Sequence, residues 1–381
     1  MDVLIYGDTH TSGAMRHEVP LTIGDPFLYL EADGRRVVLT STLEESRIAN
    51  RVRDVECLLV DALGWDELRD EGRSRAEIER ELCLRATVRL RIVEAVVPLE
   101  FPVDLADYLR GAGIRLNPDE TLFDDRRRHK TAAEMAGIRR ASDVAVNAMG
   151  AAARMLREAS IEGDSLYLAD ELLTAERVRS SIRETCARAE AAAPADIIVH
   201  PAGPAGGIGH EEGHGPLPAH MPIEVDLWPQ DEASGCWADM TRTFVRGTIN
   251  DQVAEIHAMS VEAHERACAG VRPGATGMEL HGLACDVFER AGHPTQRTKQ
   301  PDEPLREGFY YALGHGVGLE VHEPPLLGRG EHDPLIEGDV IALEPGTFKP
   351  GVGGARVEDL LLVTDDGHER LTGAFPYDLT P

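Results

Sequence analysis

The chain has 381 residues, 42% of them hydrophobic, which supports a substantial core and two domains and excludes a small disulfide scaffold. Sixty-seven acidic against 39 basic residues give a formal net charge of −28, a field that repels nucleic-acid backbones and anionic membranes. Six cysteines without CxxC spacing, no apolar run long enough for a bilayer and no basic-apolar leader lead us to expect a cytoplasmic protein with reduced thiols.

Residues 1–128 read as an α/β domain. Strands are expected at VLIY (3–6), LLVDA (58–62) and VEAVV (93–97), with a hairpin over 27–41 turning at Asp33-Gly34 and helices over 42–53 and 76–90. Neither His10, His17 nor the acids of this region form a ligand spacing. The basic run RRRHK (126–130) reads as a solvated face. From Thr131 a long alanine-rich helix follows, with Gly163 just past its end. Further helices are expected over 167–189, 250–270 and 276–291, and the Pro/Gly-rich stretch 200–222 should be mostly loop. The domain boundary is placed near residue 128, leaving 129–381 as the second domain.

Four segments of that second domain place a carboxylate or imidazole in apolar, strand-like surroundings, where an unpaired charge is costly. PIEVDLWP (222–229) carries Asp226, and after a turn containing Gly235 the returning strand carries Asp239. Neighbouring strands bring such side chains together. The segment 311–325 sets His315 and His322 among glycines, and a pair of strands carries Glu344 and Glu358. Singly, each has a plain reading: Asp226 or Asp239 could pair with Arg242, His315 could be a core histidine, and Glu344 could cap a turn. Together, four converging carboxylates need protons or metal, since close pairs repel by about 4 kcal/mol each at an effective dielectric near 20. Two divalent cations would balance them.

The motifs ADMTRTF (238–244), GHGVGLEVHE (314–323), EGDVIALEPG (337–346) and RVED (356–359), in this order, resemble the pita-bread metallopeptidase family. That family includes prolidase (Xaa-Pro dipeptidase), aminopeptidase P and methionine aminopeptidase. The additional N-terminal domain is similar to the prolidase and aminopeptidase P branch. The resemblance implies an α/β N-terminal domain, creatinase/prolidase-like, followed by an α+β pita-bread (creatinase/aminopeptidase-like) catalytic domain. It implies hydrolysis of the bond between an N-terminal residue and proline by an enzyme with two divalent metal ions, Mn²⁺ foremost, with Co²⁺, Fe²⁺ or Zn²⁺ also suited. Asp226, Asp239, His315, Glu344 and Glu358 are the implied ligands, Asp239 and Glu358 bridging. Glu344 is the implied proton shuttle, and His322 the group that steadies the oxyanion. His210, sixteen residues before Asp226, is preferred over His214 as the histidine that contacts the substrate. Arg356 would orient the carboxylates and hold substrate. The partners implied are a small Xaa-Pro peptide and a second copy of the chain in a homodimer.

Two departures bear on specificity. Twelve residues separate Asp226 from Asp239, more than in typical relatives. Tyr311 stands where the proline-specific branch carries a histidine, as a substrate-binding candidate that can still donate a hydrogen bond. Trp228 and Trp237 flank the aspartates and are read as core packing before an apolar wall for proline. The alternatives are a creatinase-like metal-free amidinohydrolase, in which the ligands would be replaced, and a catalytically silent peptide-binding homologue.

Overall fold

Strand alternation in the first 120 residues builds one mixed six-stranded sheet. The structure, a computed structural model, describes residues 1–203 and 211–381. They divide into two compact units, Met1–Arg127 with Ala233–Gly235, and Arg128–Glu232 with Cys236–Pro381. No helix among the described residues is long and apolar enough to cross a membrane.

In the first unit the sheet order is Val55–Leu59, Arg35–Thr40, Phe27–Ala32, Val3–Gly7, Glu94–Val97 and Arg115–Pro118. Phe27–Ala32 runs antiparallel to both neighbours, and the other pairs are parallel. Its hairpin turns at Asp33 and Gly34, both in the left-handed region at φ 52° and 74°, the geometry that matches strand twist in a two-residue loop. The expected strand at 58–62 begins earlier, as Val55–Leu59, and then tightens into the 3₁₀ turn Val60–Leu63. A cavity of about 470 Å³ opens at the carboxyl ends of Val3–Gly7 and Arg35–Thr40, lined by Tyr6, Thr40, Trp65 and Arg75 among others. It holds none of the acids and histidines singled out by sequence.

The second unit starts with the helix Ala132–Glu158, opened by a reciprocal capping box between Thr131 and Glu134. Ala141, Ala145, Ala148 and Ala152 form a fully buried stripe along it. These small side chains seat the helix against Pro222–Leu227 and Met240–Val245. The helix stops at Ala159, and Gly163 instead turns the hairpin Ser160–Glu162 to Ser165–Leu168. The helix expected over 167–189 is shorter, Ala175–Arg188. Ala169 and Asp170 take positive φ and reverse the chain first, and Thr174 then caps the helix. Asp251–Gly270 and Gly277–Arg290 form the last two helices.

Two sheets carry the chemistry. One has the order Ile198–Pro201, Pro222–Leu227, Met240–Val245, so the edge strand runs only two residues, His200 and Pro201, into the stretch expected to be mostly loop. The other has the order Glu323–Leu327, Gly314–Gly316, Val340–Leu343, Asp359–Val363, His368–Arg370. Between them lies the hairpin Gly346–Lys349 with Gly353–Arg356. Side chains of Met240–Val245 tie the sheets together: Thr243 Oγ1 donates to the Arg356 carbonyl and accepts from its amide. Arg242, 1% exposed, donates to the Glu358 carbonyl at 2.6 Å and to Asp359 Oδ1 at 2.8 Å. Arg242 therefore serves Asp359, not Asp226 or Asp239. Truncating one side of a buried, hydrogen-bonded ion pair strands the other charge. Arg242→Met is expected to lower stability by about 3–5 kcal/mol, read from denaturant unfolding.

Candidate metal centre

Asp226 lies within Pro222–Leu227, and Asp239 immediately precedes the antiparallel strand Met240–Val245, where Met240 faces Leu227. The intervening excursion turns at Gly235, φ 79°. His315 is the middle residue of Gly314–Gly316. A side chain at Gly314 would collide with the Ala342 carbonyl, so glycine is what lets this strand close on its neighbour.

The pair of strands expected around Glu344 and Glu358 is present but broken in the middle. Glu344 sits between Val340–Leu343 and Gly346–Lys349, where Pro345 lacks the N–H needed to continue a ladder. Glu358 sits opposite, between Gly353–Arg356 and Asp359–Val363. Its amide donates to the Thr241 carbonyl at 3.0 Å, and Thr241 Oγ1 donates to its Oε2 at 2.7 Å. These breaks place both carboxylates at one level of the bent hairpin.

Six of the residues singled out by sequence thus converge. Three overlapping sets, Asp226/Asp239/Glu358, His315/Glu344/Glu358 and Asp239/His315/His322, each bring one donor atom per residue within 4.8 Å of one another. His315 Nε2 lies 3.8 Å from both Asp239 Oδ2 and Glu344 Oε1. Its Nδ1 is 3.1 Å from the Gly316 carbonyl, which can only accept, so Nδ1 carries the proton and Nε2 offers its lone pair to the cluster. His322 is exposed and stands edge-on to His315, ring centroids 4.2 Å apart. His210 lies outside the described residues. His214 is exposed, with Nδ1 3.4 Å from Glu176, and belongs to none of these sets.

Arg356 is the guanidinium that threads the acids. Nη2 reaches Asp226 Oδ2 at 2.5 Å and Glu224 Oε1 at 2.9 Å, and Nη1 reaches Glu344 Oε2 at 3.0 Å. Tyr311 is half-buried, and its hydroxyl donates to the Glu344 carbonyl at 3.1 Å, which directs its one proton to the backbone. Trp237 donates to the Leu319 carbonyl at 3.2 Å and packs against the core, the packing role read from its sequence position.

Glu224 joins the cluster through Arg356, and His200 lies beside it in the sheet, neither having been singled out by sequence. Glu224 is two residues before Asp226 and so shares its face of the strand. His200 stands directly across from Glu224 in the register. The alternation within PIEVDLWP was a legible signal for Glu224. His200 had none, because its neighbour is set by strand pairing.

Burial and mutual repulsion make this cluster hold protons. Burial first, then Glu358, Asp226 and Glu344, push the Asp239 carboxyl well above the carboxylate range, and burial with Asp226 and Glu344 does the same to Glu358. Burial likewise lifts Glu344 to about 7, although Arg356 opposes it. For His315, burial and then His322 lower the ring to about 4, keeping it neutral and available as a ligand.

Residues 136–365 match Metallopeptidase family M24. The chain belongs to that family. An Xaa-Pro dipeptidase from Pyrococcus furiosus is 38% identical over 135 residues, which is 35% of this chain and 35% of that protein, so the match spans about a third of that relative. The prolidase from Pyrococcus horikoshii superposes with a TM-score of 0.76 at 22% identity, over 99% of this chain and 95% of that one. The X-Pro aminopeptidase from Thermotoga maritima gives 0.74 at 21%, over 100% and 95%. These superpositions establish the pita-bread fold.

The donor chemistry fits the family's divalent metal: carboxylate oxygens with one imidazole, and a buried Asp226 Oδ1 that has no hydrogen-bond partner among the described residues. Between the ordinary glutamate value of 4.5 and about 7, the folded protein keeps a proton on Glu344 that the unfolded chain releases. Stability of the cation-stripped protein should therefore fall as pH rises through that window. Thermal melts are expected to show a larger gain from added divalent cation at about pH 8 than at about pH 5, because protons compete with metal at the lower pH.

Proposed function

We propose that this protein is a metal-dependent peptidase cleaving the bond between an N-terminal residue and proline, with dipeptides as the favoured substrates. The observation that carries the reading is the convergence of Asp226, Asp239, His315, Glu344 and Glu358 in a chain of family M24. The names of the relatives, Xaa-Pro dipeptidase and prolidase, support the substrate class. A creatinase-like, metal-free reading is disfavoured because all five ligand types are present together.

Asp226, Asp239 and Glu358, with His315 and Glu344, would hold two divalent cations, Mn²⁺ foremost. When bound, such ions polarise a carbonyl and make a water nucleophilic near neutral pH. The protein's own groups do the rest. Glu344, the carboxylate tied to Arg356 at the edge of the cluster, takes the proton of the attacking water and delivers it to the prolyl nitrogen as the C–N bond breaks. The leaving group is thereby a neutral secondary amine. His322, edge-on to His315 at the exposed side of the cluster, is positioned to donate to the carbonyl oxygen as charge develops there. Arg356 keeps Asp226 and Glu344 in register from behind. His210 is carried as a substrate contact on its sequence position.

Metal-loaded protein is expected to hydrolyse Xaa-Pro dipeptides and, more slowly, Xaa-Pro tripeptides. Glu344→Gln should lower kcat by about 10²–10⁴ while the circular dichroism spectrum is retained. Absence of turnover on both substrate types, with two metals bound per chain, would overturn the reading.

A further inference from the structure

The edge strand Ile198–Pro201 pairs antiparallel with Pro222–Leu227, Ile198 opposite Asp226 and His200 opposite Glu224. Directly opposed residues project from the same face of a sheet. The face that presents Asp226 to the carboxylate cluster therefore presents Glu224 and His200 one step further along. Glu224, with its side chain 5% exposed, uses Oε1 on Arg356. Its Oε2 and both ring nitrogens of His200 are shielded from solvent and have no hydrogen-bond partner among the described residues. Buried polar atoms in native proteins are ordinarily satisfied, and three orphans on opposed residues of one sheet face mark a place where something polar is received.

The chemistry of the orphans says what that is. A carboxylate oxygen only accepts, and a neutral imidazole offers one acceptor and one donor, so the pair asks for a hydrogen-bond donor. An Xaa-Pro substrate has donors at two places, the α-ammonium and the side chain of Xaa; the prolyl nitrogen carries no hydrogen, and the terminal carboxylate only accepts. Two residues along a strand correspond to about 6.5 Å. Glu224 Oε1 and Asp226 Oδ2 share Arg356 Nη2, so the inner end of the pair borders the cluster, where the α-ammonium, one carbon from the scissile carbonyl, stays; the side chain of Xaa is the donor that extends along the strand toward Glu224 Oε2 and His200.

We propose that His200 and Glu224 form a specificity subsite that selects first residues with a hydrogen-bond-donating side chain, amide or cationic; this rests on the peptidase reading above. An apolar side chain of the same length would leave the three atoms dry and unpaired, which a site built for hydrogen bonding discriminates against.

The test compares Gln-Pro with Met-Pro and Lys-Pro with norleucyl-Pro, shape-matched pairs that differ in the donor, on the metal-loaded protein. Both kcat/KM and calorimetric Kd are measured. The donor-bearing member is expected to be favoured about tenfold or more. Glu224→Gln keeps an oxygen for Arg356 but puts an NH₂ where Oε2 stood. It should bring both ratios close to one by weakening the donor-bearing member. His200→Phe, which retains a flat ring, should reduce the ratios in the same direction. Ratios near one in the unmodified protein, or variants that lower both members of a pair alike, overturn the subsite. Selective binding with no turnover of any dipeptide would uphold the subsite and reject the peptidase reading. Turnover without selectivity would do the reverse.

Discussion

Four carboxylates packed beside one imidazole in a protein interior cannot all be ionised at once without cations among them. That constraint organises the second unit. Close like charges repel by several kcal/mol per pair at protein dielectrics, and burial removes the water that would screen them. Arg356 shares its single charge among Asp226, Glu224 and Glu344, which leaves the cluster strongly acidic. Such a site takes up protons or dications, and the competition between the two couples metal content, stability and pH.

Holding the acids together against that repulsion is a task for the backbone. Met240–Val245 is hydrogen-bonded to Pro222–Leu227 on one side, and its threonines and Arg242 are bonded to the bent hairpin on the other. Asp226, Asp239 and Glu358 are thereby fastened within a residue or two of their carboxylates. Arg242 and Asp359, both almost fully buried, close this scaffold behind the cluster, with Tyr377 and Thr372 also donating to Asp359. Lys130, one of three lysines in the chain, pairs in the interior with Glu323, beside His322. These buried pairs fix positions rather than add net stability, since desolvation offsets much of their attraction.

The polar groups around the cluster differ in how completely they are satisfied. Tyr311 and Thr241 end in defined hydrogen bonds, whereas Glu224 Oε2 and both ring nitrogens of His200 have no partner among the described residues. In a well-packed interior that contrast separates parts that build the site from parts that meet what enters it.

The residues of the acid and imidazole cluster were legible in the sequence because each is a charged or ionisable group inside an apolar strand pattern, and because four motifs occur in a fixed order. The N-terminal hairpin was legible too: Asp33-Gly34 is one of few dipeptides able to adopt left-handed dihedrals at both positions. Boundaries were not. The helix expected from residue 167 yielded to a hairpin and a reversal at Ala169 and Asp170, and the Gly163 turn was mistaken for a helix end, since local propensity does not register the strand partner that competes for the same residues. By itself, then, the sequence determined the fold class, the acid and imidazole set and the absence of a nucleic-acid-binding charge balance. Tertiary structure alone decided that Arg242 serves Asp359, that Tyr311 turns to the backbone, and that His200 meets Glu224. Each of those joins residues far apart in the chain, and tertiary pairing, which no local pattern encodes, chooses the neighbour.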